Sequence, residues 1–179
     1  MRETDEIERD ETAWIALGAN LGDRAATIDR AVARIDALPE SSIIATAPLY
    51  ETAPIGPDGQ APYINSVVGL RTSLSSPELL TAFGTIEQEL GRRRRARWHA
   101  REIDIDLILR GNEIIGTPQL TLPHPAFRSR RFVLVPLADV AAEQVDPVTG
   151  RTIAALLAAL PSQKDDVRPF FPQEESCDT

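Results

Sequence analysis

Between Arg92 and Leu109 the chain reads RRRRARWHAREIDIDLIL. Six arginines fall within ten residues, a tryptophan and a histidine are threaded among them, and Asp104 and Asp106 follow two positions apart. Guanidinium groups grip phosphate oxygens bidentately, and carboxylates offer hard oxygens to divalent cations. The combination is suited to a polyphosphate carried with a divalent metal. In an extended strand Ile103, Ile105 and Leu107 take one face, and Glu102, Asp104 and Asp106 the other. At ~3.3 Å of rise per residue the two aspartates lie roughly 6 to 7 Å apart at their Cα atoms, close enough to hold two Mg2+ ions between protein and phosphates. Without cations or nearby arginines the pair would repel. A solvated arginine run followed by an acidic edge strand is the competing reading of this stretch alone.

The charge distribution favours a local anion site. The 179 residues carry a formal net charge of −8, but the excess sits at the ends. Residues 1–11 hold six acids against Arg2 and Arg9, and residues 162–179 hold five against Lys164 and Arg168. The body between them is nearly neutral, with nine of its 15 basic residues confined to 92–101 and 128–131. That pattern argues against broad nucleic-acid affinity. Every basic residue except Lys164 is arginine. No apolar run approaches the roughly 18 to 20 residues that cross a bilayer, and the acidic first residues are unlike a secretory signal. The lone Cys177 excludes an internal disulfide framework and fits a reducing compartment, so a cytoplasmic location is expected.

Hydrophobic periodicity predicts the elements that must carry these groups. Residues 1–11 are expected to be a disordered acidic leader, 12–161 a single domain, and 162–179 a disordered acidic tail. TAWIAL (12–17) reads as a buried strand, then GANLGDR (18–24) as a glycine-rich turn into a helix reaching about Leu38, capped by Asn20 or Asp23. A strand over Ser42–Thr52, interrupted at Pro48, and another over Tyr63–Thr72 form a hairpin around the Pro/Gly-rich loop 53–61. Tyr63 and Asn65 share a face of that strand, placing an aromatic platform beside an amide. A second helix opens at Ser76-Pro77-Glu78 and stops at Gly91, with Glu87 near its C-terminus, where its charge opposes the helix dipole. A central strand over 101–109, a hairpin-like piece and helices over Phe132–Val140 and Thr152–Leu160 complete the body. The order β-α-β-β-α-β predicts a ferredoxin-like α+β fold, an antiparallel sheet flanked by helices.

The motifs ALGANLGD (16–23), LYETAPIG (49–56), YINSVVGLRT (63–72) and LSSPELL (74–80) occur in one order with two longer ones. These are IEQELGRRRRARWHAREIDIDLIL (86–109) and LPHPAFRSRRFVLVPL (122–137). In this the chain resembles the 6-hydroxymethyl-7,8-dihydropterin pyrophosphokinases of folate biosynthesis, over about residues 12–160. The resemblance implies transfer of the pyrophosphate of ATP to the hydroxymethyl group of the reduced pterin, releasing AMP. It implies Asp104 and Asp106 as ligands of two Mg2+ ions, and Arg92 and Arg101 as the catalytic arginines that neutralise the phosphates. Around ATP it implies Glu87, Arg94, Arg97, Trp98, Leu107, Thr121, His124 and Arg130. Around the pterin it implies Thr52, Ala53, Ile55, Tyr63, Asn65 and Phe132, with Tyr63 and Phe132 sandwiching the ring. No general base stands out. The expected partners are the small-molecule substrates alone, with no nucleic acid or membrane, acting on a monomer.

Five positions depart from the family's pattern. His99-Ala100 stand where Gly-Pro is frequent, Ala53 where proline is common, Arg95 for a lysine and Gly84 for a glutamine. None removes a carboxylate or either aromatic. The rival reading is a ferredoxin-like RNA-binding module without catalysis, which calls for a basic body and aromatics on adjacent strands. Another magnesium-dependent nucleotide enzyme would share Asp104 and Asp106 without requiring Tyr63, Asn65 and Phe132 together.

Overall fold

Tyr63–Thr72 forms strand β4, and nearly all its side chains are buried on both faces, so it must lie inside a covered sheet. The computed structural model describes residues 11–54, 59–92, 100–161 and 166–172. In chain order its elements are β1 (Glu11–Ala19), α1 (Arg24–Asp36), β2 (Ser41–Thr46), β3 (Tyr50–Thr52), β4, α2 (Ser76–Glu89) and β5 (Asp104–Arg110). There follow the two-residue strands β6 (Ile115–Gly116) and β7 (Thr121–Leu122), a 3-10 turn at Phe127–Ser129, α3 (Arg131–Ala141), α4 (Ile153–Ala159) and β8 (Val167–Pro169).

The main sheet runs β5-β1-β4-β3-β8, with β2 also paired to β4, and all its pairings are antiparallel. Each β-α-β unit therefore leaves room for a strand of the other, the split arrangement of the ferredoxin-like class. On one face Ile15, Leu17, Ile64, Leu70 and Ile105 pack against Ile28 and Ile35 of α1 and Leu79 and Phe83 of α2. On the other face Trp14, Val67, Ile108 and Leu109 pack against Phe127, Val133, Leu134 and Leu137, with Ile153 and Leu156 of α4 behind. A register shift between β1 and β5 at Trp14/Ile15 lets consecutive Ile108 and Leu109 both join this second cluster. Trp14 lies flat over Gly69, where an added Cβ would stand 2.7 Å from the indole.

Local chemistry explains the helix ends and corrects several expectations. Asp23 caps α1 by accepting from Ala26 N at 3.1 Å, so Asn20 is released from that role. Ser75 caps α2 in a capping box with Glu78, and Ser76 is the first helical residue. The segment interrupted at Pro48 resolves into β2 and β3, which pair with different parts of β4. β5 starts at Asp104, three residues later than expected. Two boundaries also move. Glu11 pairs with Thr72 inside β1, so it belongs to the domain, while residues 1–10 lie outside the described residues. Residues 166–172 include β8, paired along β3, so that part of the tail is ordered against the domain because β3 offers it an open edge. Among the described residues no helix is long and apolar enough to cross a membrane.

The second face is closed by a buried charge. Asp146 is inaccessible to solvent and accepts from Arg128 Nε and Nη2 at 2.6 Å each, from Thr149 Oγ1 at 2.6 Å and from Val148 N at 3.2 Å. Burial alone would raise its pKa; the hydrogen bonds from Arg128, Thr149 and Val148 outweigh it and hold the carboxyl at about 2. A folded pKa below the unfolded one stabilises the fold above the ordinary aspartate range, and that contribution is lost as pH falls from roughly 4 toward 2. Arg128→Met, which strands the carboxylate, should cost about 3 kcal/mol in urea denaturation at pH 7. Asp146→Asn should flatten the stability decline across the acidic window. An unchanged acid profile in Asp146→Asn would show that other carboxylates govern it.

Candidate active site

The register of three central strands decides which polar side chains meet. Gly18 of β1 stands between Asn65 of β4 and Asp104 of β5, and Ala16 stands between Val67 and Asp106. On the far side Thr52 of β3 pairs with Tyr63. The α3 cluster covers this face over Trp14, Val67 and Ile108 and stops short of the Gly18 end. With only a hydrogen and a methyl group at Gly18 and Ala16, the sheet surface is recessed between the amide and the carboxylates. A Cβ on Gly18 would stand 3.3 Å from Asn65 Oδ1, tighter than ordinary contact. The recess opens into a cavity of about 310 Å³. Thr52, Ala53, Tyr63 and Asn65 line it from one side, Asp104, Asp106 and Arg101 from β5 and its approach, and His124, Arg130 and Phe132 from the segment leading into α3.

Charge is balanced unevenly across the cavity. Asp104 receives Arg101 Nη1 on both oxygens, at 2.7 and 2.8 Å, and Arg92 Nη2 at 2.9 Å. Arg92 also pairs with Glu87, which in turn accepts the Ile105 N–H at 2.8 Å. Burial raises the pKa of Glu87, with the Ile105 N–H and Arg92 opposing it. The awkward acid at the end of α2 is thus the bracket that ties α2 to β5 and holds Arg92 against Asp104. Asp106 has no such close arginine among the described hydrogen bonds. Burial first, and then the charge of Asp104, push its pKa up, while His124, Arg130 and Arg92 pull the other way. Burial lowers the pKa of His124, against the attraction of Asp106. Its Nδ1 accepts the Ala126 N–H at 3.2 Å, so a neutral ring carries its proton on Nε2.

The opposite side is aromatic and amide. Asn65 Nδ2 donates to Thr52 Oγ1 at 2.9 Å, and both residues are buried. Burial and then Asp104 keep the Tyr63 phenol protonated, raising its pKa despite Arg101. The Arg130 guanidinium lies 5.6 Å from the centre of the Phe132 ring.

Of the residues singled out from the sequence, Thr52, Ala53, Tyr63, Asn65, Arg101, Asp104, Asp106, His124, Arg130 and Phe132 converge on this cavity. Arg92 and Glu87 stand behind it, acting on Asp104 and on the backbone of β5. Leu107 does not line it: strand alternation turns that side chain into the core under α1 and α2. Thr121 is exposed on the β6–β7 hairpin, paired with Gly116, and does not line it either. Ile55, Arg94, Arg97, Trp98 and the unusual His99 lie outside the described residues.

One residue read only as a possible cap has a larger part. Asn20 is 1 % exposed. Its Oδ1 accepts Arg101 N at 2.8 Å, its own N–H donates to Arg101 O at 3.2 Å, and its Nδ2 donates to Ala61 O at 3.3 Å and Gln60 Oε1 at 3.4 Å. Asn20 therefore joins the end of β1, the approach to Tyr63 and the backbone of Arg101. The only signal in the sequence was an amide directly after a buried strand. Gly18 and Ala16, which form the recess, gave none beyond their size.

The family model for 7,8-dihydro-6-hydroxymethylpterin-pyrophosphokinase matches residues 14–142, a span that includes all ten of the cavity residues named from the sequence. The chain belongs to this family. The 2-amino-4-hydroxy-6-hydroxymethyldihydropteridine pyrophosphokinase of Pseudomonas aeruginosa is 40% identical over 148 residues, 83% of this chain and 91% of that one. The enzyme of the same name from Bacillus subtilis is 43% identical over 128 residues, 72% of this chain and 77% of that one. Among solved structures, wild-type Plasmodium falciparum HPPK-DHPS with pteroate superimposes with a TM-score of 0.64 at 18% identity. It covers 83% of this chain, which spans 42% of that longer one; at this identity the likeness bears on the fold.

Asn20→Ala should leave the chain folded and lower kcat/KM about 10²-fold through displacement of Arg101, the loss typical of a misplacement near 1 Å. Steady-state kinetics beside a thermal melt check this. Near-normal kcat/KM would mean that Arg101 is held by Asp104 alone.

Proposed function

We infer that the chain transfers the pyrophosphoryl group of ATP to the hydroxymethyl group of 6-hydroxymethyl-7,8-dihydropterin, giving the pterin diphosphate and AMP, within folate biosynthesis. The observation that carries this reading is the union, in one cavity, of Tyr63, Asn65 and Phe132 with Asp104, Asp106 and Arg101. A flat heteroaromatic ring needs ring faces and an amide; a polyphosphate needs cations and metal-binding carboxylates. An RNA-binding surface has no use for an acidic pair at its floor.

The residues present suit Mg2+. Asp104 and Asp106 offer hard oxygens, and no cluster of three or more acidic, histidine or cysteine ligands occurs among the described residues. Magnesium is commonly bound by one or two carboxylates, with phosphate oxygens and water completing its shell. We propose that two Mg2+ ions are held here, neutralising the triphosphate when bound. The raised pKa of Asp106, a buried carboxyl beside another, marks a place where a cation would relieve an unfavourable charge.

The chain's own groups then have separable tasks. Tyr63 and Phe132 clasp the pterin ring, and Asn65, braced by Thr52, reads its edge. Arg101, placed by Asn20, and Arg92, placed by Glu87, neutralise phosphate oxygens. His124 turns an Nε2–H toward the same space, and Arg130 adds a charge beside the ring of Phe132. No side chain is placed as a general base, so the alcohol's attack rests on alignment and charge stabilisation. Residues 93–99, with Arg94, Arg97 and Trp98, are proposed to add contacts to the nucleotide. We propose that the partners are the small-molecule substrates and that the enzyme is a monomer.

Incubating the protein with magnesium, ATP and the reduced pterin should yield AMP and the pterin diphosphate; ADP as the nucleotide product would refute the reading. Asp106→Asn should reduce kcat by roughly 10²- to 10³-fold, the range for removing one preorganised electrostatic group. Phe132→Ala should raise KM for the pterin about tenfold and change kcat little, the signature of lost uniform binding.

A further inference from the structure

The region matched by the family model ends at residue 142, yet the described segment 166–172 pairs with β3 and reaches the start of α3, which carry lining residues on two sides of the cavity. We propose that residues 166–170 act as a positioning strap that sets the spacing of the pterin half of the site. The inference rests on the reading that the pterin lies between Tyr63 and Phe132.

Its first attachment is to β3. That strand is three residues long, and its last residue Thr52, with Ala53 after it, lines the cavity. β4 holds only one of its edges. β8 supplies the other, pairing Tyr50 with Pro169, Glu51 with Arg168 and Thr52 with Val167. Phe170 N extends the seam by donating to Leu49 O at 2.8 Å. A three-residue strand paired on both edges keeps its position far better than one paired on a single edge.

The second attachment is to α3. Asp166 Oδ2 lies 3.0 Å from Arg131 Nε, and both side chains are largely shielded from water. Arg131 is the first residue of α3 and stands between Arg130 and Phe132, which both line the cavity. Five residues of chain thus span from the helix that carries one aromatic to the strand beside the other.

Phe170 completes the bridge. Its side chain packs against the core under α1 and α2, and the Arg24 guanidinium lies 5.6 Å from its ring centre. Arg24 Nη1 in turn donates to Glu51 Oε2 at 3.0 Å and to Pro62 O at 2.7 Å. Pro62 immediately precedes Tyr63, so the aromatic at position 170 is tied to the start of β4 as well as to β3. Aromatic clamps depend on ring separation to within a fraction of an ångström, and the strap joins the backbone on either side of that gap.

The test uses the full chain and direct binding of 6-hydroxymethyl-7,8-dihydropterin by its own fluorescence, with ATP affinity measured separately. Asp166→Asn and Phe170→Ala should each weaken pterin binding about tenfold while ATP affinity stays within about twofold. Phe170→Leu should recover most of the loss, and so should the exchange of Arg131→Asp with Asp166→Arg. Unchanged pterin affinity in both single variants overturns the proposal. So does an equal loss for both substrates that follows the fall in Tm, since that is a general destabilisation. A wild-type protein that fails to bind the pterin overturns the strap together with the reading of the cavity, and this is seen before any variant is made.

Discussion

The site depends on a carboxylate pair held in a partly apolar recess, with the described arginines shared unevenly between its two members. Asp104 is held by Arg101 and Arg92, whereas Asp106 is left with more distant charges and a raised pKa. Burying such a pair is costly unless positive charge lies close to it. Much of the surrounding structure can be understood as what makes the cost tolerable. Glu87 steadies Arg92 and β5 together, Asn20 fixes the backbone of Arg101, and Arg130 and His124 supply partial compensation from the opposite side.

The second constraint is steric. A cavity can form on a sheet face only where neighbouring residues are small and the covering helix stops. Gly18 and Ala16 provide the first condition, flanked across the strands by Asn65, Val67, Asp104 and Asp106. The second follows from the packing of α3 over Trp14, Val67 and Ile108, with α4 and the Arg128–Asp146 pair holding that layer in place. Asn65 and Asp104 are thereby placed on either side of β1, with the recess between them. Residues that line the cavity come from β1, β3, β4, β5, the approach to α3 and its first turn, which is why distant changes in packing can alter its shape.

Much of this was legible from residues alone. The alternation in REIDIDLIL placed both aspartates on one face because side chains in a strand alternate, whatever the surroundings. Tyr63 and Asn65 followed by the same rule, and helix positions followed from apolar spacing and caps. Ordered motifs pointed to the family, and ten of the implied residues meet in one cavity. Two of the implied residues do not line it. Leu107 lies on the same strand as Asp104 and Asp106 but has the opposite parity, and Thr121 belongs to a hairpin outside the cavity. A motif match carries a position across without saying which way its side chain faces.

Local chemistry in the chain therefore settled the type of each element, the faces of its strands and the kinds of group available for catalysis. These are short-range properties, set by backbone geometry and by the spacing of polar and apolar residues. Tertiary structure decided the rest: that Asn20 grips Arg101, that Glu87 accepts the Ile105 N–H of β5, and that an acidic, proline-containing tail returns as β8 on the edge of β3. Each of those contacts joins residues far apart in the chain, through hydrogen bonds or ion pairs whose partners no local pattern names. A tail that looks too polar to build a core can still be ordered by an open strand edge, one partly buried ring and one ion pair, and only the fold supplies those partners.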